Sequence, residues 1–424
     1  MSQVNRRTFL AGATAATVAL AACSSARAAS ANDSVNIAVM GTHNRGSQLI
    51  AGLIKLPGVN ITHICDCDDQ WLKNGIDAAT ADGGATPKTV KDFRKALDEK
   101  SVDAFVIAAP NHWHAAATIL GLEAGKHVYC EKPVSHTPDE GERMIAAAKN
   151  SKHVLQVGLQ RRSNPHYNEA IQEIKDGKIG RVLYAMSTYN NRRPTIGHAK
   201  PTAPPASLDY DMWQGPALAE AYRENILPYN WHNFWRWGNG ELGNNGPHTL
   251  DICRWALGAD YPTKVTASGS KLRFDDDQET PDSSTVIWEF GDRRMVWESL
   301  SWSPAYNNHD GIWMELRGDN GILAIDDHGY KIYDPMRKVI AEKNGKKTQE
   351  QHLENFLSAI RSGTPVNCPI EEGHKSTMLA HLGNISYRTG QTIEVDPSNG
   401  HLKNCPSGEA YWACEYRKGW FPGV

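Results

Sequence analysis

Between residues 35 and 160, short apolar strand-like runs alternate with helix-periodic segments, and this alternation limits the fold more than any other feature of the chain. "VNIAVM" (35–40) is a compact β-rich run, and "SQLIAGLIKL" (47–56) carries apolar residues at helical spacing. "VNITHICD" (59–66) predicts a second strand, "VKDFRKALDEK" (90–100) a short helix and "VDAFVIAAP" (102–110) a further strand. "HAAATILGLEAGK" (114–126) reads as a helix closed by Gly125, followed by the strand "HVYCEKP" (127–133). Thr137, Pro138 and Glu140 form a capping-box pattern that starts another helix, and "HVLQVGLQ" (153–160) ends the series as a strand. Strands that alternate with helices predict an α/β, doubly wound parallel sheet of the Rossmann type.

From about residue 161 the texture changes. Trp, Asn, Pro and Gly crowd the chain to about 245, and then "KVTASGSKLRF", "STVIWEF" and "RMVWESLSW" alternate with period two. These segments predict a large, mostly antiparallel open sheet covered on one face. Helices return at 352–363 and 374–390. The expected organisation is therefore a leader over 1–33, a dinucleotide-binding domain over 34–160 and an α+β substrate-binding and oligomerisation domain over 161–424. The open sheet makes a homo-oligomer the expectation. A formal charge of −3 with no long basic run excludes nucleic acid as a partner.

The leader is a different material. Arg6 and Arg7, followed by Phe9, Leu10 and an uncharged Ala-rich stretch, match a twin-arginine export signal. "LAAC" (20–23) matches a lipoprotein processing box, which would leave Cys23 as a lipid anchor, whereas "ARA" (26–28) offers a soluble cleavage instead. Either route places the mature protein in the periplasm, free or anchored, with the twin-arginine machinery as a partner. The eight cysteines show no CxxC pair and no metal spacing, and Cys405 and Cys414 stand close enough in sequence to bridge.

"GTHNRG" (41–46) follows the first strand and opens the first helix, where backbone amides can meet a pyrophosphate. Gly41 and Gly46 hold the first and third glycine positions, His43 replaces the second, and Asn44 and Arg45 complete the loop. Asp66 ends the second strand twenty residues after Gly46, where a carboxylate binds both ribose hydroxyls. No Arg follows it to receive a 2′-phosphate, so NAD is expected ahead of NADP. "PNHWH" (110–114) ends a strand on the ligand-binding edge. His112 and His114 have ligand character for a metal, but no third ligand stands at a metal spacing, so Asn111 and His114 are expected as polar lining of the cofactor cleft.

These motifs together, with "CEKPVSHT" (130–137) and "GPHTLDICRWALG" (246–258), resemble the Gfo/Idh/MocA family of NAD(P)-dependent oxidoreductases over nearly all the chain after the leader. The resemblance implies that Lys132, in Glu131-Lys132-Pro133, lies beside the nicotinamide and the reacting hydroxyl. It makes His248 the catalytic imidazole and puts Asn244 where relatives often carry an acid. It brings Gln160 to the nicotinamide and Arg161 or Arg162 to the substrate. Asp251, one helical turn past His248, is placed to orient that ring. Trp235, within "NWHNFWRWGNG" (230–240), offers a face for sugar stacking or for core packing.

The expected activity is hydride transfer between a sugar or polyol carbinol carbon and tightly bound NAD. His248 takes the proton and Lys132 steadies the oxyanion. A redox-assisted glycosidase fits the same parts. A non-enzymatic sugar-binding lipoprotein is the third reading, motivated by His43 and Asn244.

Overall fold

The computed structural model describes residues 34–304, 311–346 and 348–423. Residues 1–33, on which the export-signal and lipid-anchor expectations at Arg6, Arg7 and Cys23 fall, lie outside the described residues. The first sheet holds β1 (Val35–Met40), β2 (Val59–Cys65), β3 (Lys88–Val90), β4 (Ala104–Ile107), β5 (His127–Glu131) and β6 (Leu155–Gly158), in the order β3-β2-β1-β4-β5-β6. Every pairing in it is parallel. The order reverses between β1 and β4, and such a reversal opens a crevice at the carboxyl ends of the strands. β4 and β6 are buried along their whole length, as strands with helices on both faces must be.

Four longer helices cover this sheet: α1 (Asn44–Leu53), α2 (Asp69–Thr80), α3 (Asn111–Glu123) and α4 (Pro138–Asn150). The Thr137–Glu140 capping box forms as expected, with Pro138 in the first turn. Helix α2 and strand β3 were not legible from periodicity. β3 has three residues and no buried one, and α2 buries only Gly75 and Ala79. The helix expected over 90–100 shrinks to one turn, Arg94–Leu97.

The second sheet has ten strands. They are β7 (Val182–Asn190), β8 (Lys264–Ser270), β9 (Ser283–Phe290), β10 (Arg293–Leu300), β11 (Gly311–Gly318), β12 (Gly321–Asp326), β13 (Gly329–Tyr333), β14 (Val339–Asn344), β15 (Ile393–Val395) and β16 (Leu402–Lys403). Their order is β14-β13-β12-β11-β7-β10-β9-β8-β15-β16. Only β7 and β10 run parallel; the other pairings are antiparallel. Alternating burial along β9 and β10 turns Val286, Trp288, Met295 and Trp297 to one face. Two helices cover that face: Leu250, Cys253 and Leu257 come from α6 (Gly246–Leu257), and Met378 and Leu382 from α8 (Ile370–Thr389). α5 (Pro165–Lys175) adds Tyr167 and Ile171 to the same core.

The chain returns once to the first sheet. Helix α7 (Glu350–Ser362) sets Leu353, Phe356 and Leu357 against Val39, Leu49, Ile50 and Leu53. Full burial of such side chains contributes roughly 1.5–3 kcal/mol each, so the first sheet depends on a late segment of sequence.

Between β7 and α6 an irregular strap folds on its own aromatic cluster, in which Trp213, Phe234 and Trp237 are buried. It is pinned to the first sheet where Asp209 N–H donates to the Cys67 carbonyl at 2.9 Å and Asp69 N–H donates to the Ser207 carbonyl at 3.2 Å. Cys405 and Cys414 do not bridge. Both are free thiols: Cys405 faces the Ser407 hydroxyl at 3.8 Å and Cys414 faces the Glu140 carboxyl at 4.0 Å.

Candidate active site

A cleft of about 760 Å³ lies along the carboxyl ends of β1, β2, β4 and β5, roofed by the strap. At its phosphate-binding end Gly41 has φ +82°, and a Cβ there would stand 2.7 Å from the Ala108 carbonyl oxygen. A Cβ on Gly46 would meet the Gly41 carbonyl oxygen at 1.8 Å, so strand and helix can only close on glycine. His43 precedes α1 and makes no side-chain cap, so its side chain takes up none of the first-turn N–H groups. The His43 ring packs edge-on against Trp71 with centroids 4.2 Å apart, which accommodates the side chain that breaks the glycine spacing.

Asp66 stands at the end of β2 as the spacing predicts. Its Oδ2 accepts from Thr42 N–H at 2.9 Å and its Oδ1 from Asp68 N–H at 3.1 Å. Burial pushes its carboxyl up to about 6, against those hydrogen bonds. The glycine cradle, the first turn of α1 and this cleft-lining carboxylate fit a dinucleotide.

Asn44 and Arg45 also line the cleft. Asn44 Oδ1 accepts from Gln48 at 2.7 Å, and Arg45 is drawn to Glu131 at 2.8 Å and Gln349 at 2.8 Å. Glu131 also accepts from Gln160 Nε2 at 2.8 Å. Burial works against the Glu131 carboxylate, but Arg45 and Lys132 outweigh it and hold its pKa below the usual range. Asn111 donates to Asn239 Oδ1 at 2.9 Å. His114 stands between the Pro133 and Ala109 carbonyls at 2.6 and 2.8 Å, and the single N–H of its neutral ring donates to one of them, which makes it a wall of the cleft.

Lys132, at the end of β5, turns across the cleft. Its Nζ donates to the Asn244 carbonyl at 2.6 Å and meets Asn244 Oδ1 at 3.4 Å. His248, in the first turn of α6, lines the same cleft, so residues more than a hundred positions apart meet there.

Three expected substrate residues lie elsewhere. Asp251 does not orient His248: it is 1% exposed and held by Arg162 at 2.8 Å and by the Ser376 hydroxyl at 2.6 Å. A bidentate guanidinium satisfies a buried carboxylate better than one imidazole would. Arg161 is buried against Asp327 at 2.8 Å and the Tyr167 hydroxyl at 2.9 Å and is not among the residues that line the cleft. Trp235 lines a second cavity of about 690 Å³, where the Arg388 guanidinium covers its ring at 4.8 Å. In that cavity wall His136, Cys414 and the capping-box Glu140 place ligand atoms within 4.8 Å of one another.

Sequence reasoning missed the strap's own contribution. Tyr229 and Trp231 line the same cleft as Lys132. Behind them Arg193 binds Glu241, and His232 lies 3.6 Å from that carboxylate. Burial would raise the Glu241 pKa, yet Arg193 and His232 hold it well below the carboxylate range. The available signal was Glu241 itself, an acid inside "GNGELGNNG", one turn before Asn244.

Two family models cover this chain. Residues 35–159 match the Gfo/Idh/MocA oxidoreductase family's NAD-binding Rossmann fold, and residues 188–421 match its C-terminal alpha/beta domain. The chain belongs to this family, and its first domain is an NAD-binding domain of an oxidoreductase. Inositol 2-dehydrogenase 2 of Saccharopolyspora erythraea is 28% identical over 372 residues, which are 85% of this chain and 96% of that protein. Levoglucosan dehydrogenase of Pseudarthrobacter phenanthrenivorans is 30% identical over 170 residues, 40% of this chain and 37% of that protein. A solved levoglucosan dehydrogenase in complex with NADH shares the fold, with a TM-score of 0.67 and 19% identity over 86% of this chain and 99% of the other.

Proposed function

We propose that this protein is an exported oxidoreductase that acts on a carbinol carbon of a sugar, polyol or sugar derivative, with NAD held as a resident group. The observation that carries the reading is one cleft shared by Gly41, Asp66, Lys132 and His248. When bound, NAD supplies the hydride acceptor. Gly41, Gly46 and the first turn of α1 would hold its pyrophosphate, and Asp66 its ribose. His248 accepts the substrate hydroxyl proton, and the Lys132 ammonium stabilises the negative charge that develops on that oxygen. Asn244 keeps Lys132 in place through uncharged oxygens.

Retention of the cofactor is supported by the strap, whose backbone is pinned beside Cys67 and Asp69 next to Asp66. Export is supported by the Arg6-Arg7 leader, since the twin-arginine route carries folded protein. The test is reduction of bound nucleotide at 340 nm in purified full-length protein, with myo-inositol, levoglucosan and glucose as probes. Absorbance that rises with at least one of them is expected; none with any probe overturns the reading.

A further inference from the structure

One polar group on the cleft wall has no part in that chemistry. Tyr229 lines the same cleft as Lys132, Asn244 and His248. Its hydroxyl oxygen accepts from Asn244 Nδ2 at 2.9 Å and from Arg193 Nη2 at 3.3 Å. Both donors are fixed from behind. Lys132 Nζ meets Asn244 Oδ1, so the amide must present its NH₂ to Tyr229. Arg193 is anchored on the buried Glu241 carboxylate, and its guanidinium lies over the Tyr229 ring at 5.1 Å from the centroid.

A phenol carries two lone pairs and one proton. Here both lone pairs face N–H donors, so the proton can point at neither of them. No acceptor for it stands among the described residues, and Tyr229 lines the cleft. We infer that Tyr229 is a third polar group of the catalytic centre: it donates a hydrogen bond to the same substrate oxygen that the Lys132 ammonium meets. The inference rests on the function proposed above and adds to it a preorganised donor.

The arrangement also gives Asn244 a role that an acid would not fill. A carboxylate at 244 would accept the phenol proton and turn it away from the cleft. The amide instead donates to the phenol oxygen and directs the proton to substrate. Asn244 is thus a positioning residue for Tyr229, and Arg193 is a second one.

The test uses full-length protein with its cofactor bound and follows reduction of that cofactor at 340 nm with myo-inositol and levoglucosan. Tyr229→Phe should lower the limiting rate constant about 10²–10³-fold, the usual loss for one oxyanion donor. Its half-saturation concentration should move less than about tenfold, with nucleotide content and Tm as in the parent protein. Asn244→Asp should lose activity comparably, and the double variant should lose no more than Tyr229→Phe alone, because both changes remove one hydrogen bond. Parent-like rates in Tyr229→Phe, with Lys132→Ala inert, overturn the role of Tyr229 and leave the proposed function standing. Parent-like rates in Asn244→Asp, or additive losses in the double variant, overturn the positioning argument. Failure of the parent protein with every probe overturns the proposed function and this inference together.

Discussion

Lys132 is the residue that the strand pattern alone could not explain: a hydrated amine at the buried end of β5. The fold answers by sending it across the cleft to Asn244, two residues before the helix that carries His248. Lys132→Ala and His248→Ala are each expected to lower turnover roughly 10²–10⁴-fold, measured by nucleotide reduction with an active probe. Nucleotide content should be unchanged in His248→Ala. Asp66 belongs to the other half of the reaction. Its carboxyl is raised to about 6, and the ribose hydroxyls are bound by the ionised form. Cofactor affinity is therefore full well above pH 6 and falls as pH drops through it, approaching about tenfold per pH unit below it. Titration of stripped protein with NAD between pH 4.5 and 8 checks the sign, and Asp66→Asn should weaken binding and flatten the curve.

Helix α4 shows how a cap can act against stability. Glu140 accepts from His136 N–H at 2.7 Å and from the Tyr416 hydroxyl at 3.2 Å, yet its burial pushes the carboxyl up to about 8. A folded-state value above the unfolded one means that ionisation opposes folding. Stability from this group is full below about pH 4.5 and declines as pH rises towards 8. Glu140→Gln keeps an acceptor for the cap and should make Tm flatter across that range, and higher than the parent at pH 9. Helix α7 makes a different point. Phe356 is fully buried against the first sheet, so Phe356→Ala should cost about 3–5 kcal/mol in urea unfolding. Its effect should reach nucleotide binding, because the sheet it supports carries the glycine cradle.

For the whole molecule, the proposed export and the proposed chemistry constrain each other. A folded protein that leaves the cytoplasm must take NAD with it and restore it within each cycle, by reducing a second sugar or by a redox-neutral sequence. Retention at about micromolar protein needs a dissociation constant near or below ~10 nM, about −11 kcal/mol. Protein recovered from the periplasm or membrane fraction should therefore release near-stoichiometric NAD(H) on denaturation, with none added. Turnover that depends on supplied NAD would defeat both retention and self-recycling.

The sequence by itself determined what depends on local period and local chemistry. Strand–helix alternation gave the first sheet, and glycine spacing placed Gly41, Gly46 and Asp66, because a tight turn and a strand end are properties of neighbouring residues. The capping box at Thr137 was legible for the same reason. Tertiary structure alone decided which charges meet. Asp251 and Arg161 carry functional side chains in functional-looking segments, but buried charge must find its strongest partner, and those partners, Arg162 and Asp327, came from distant positions. It also decided that the strap would roof the cleft, bringing Tyr229 to Asn244, a contact set by the packing of Trp213, Phe234 and Trp237 and not by any period in the chain.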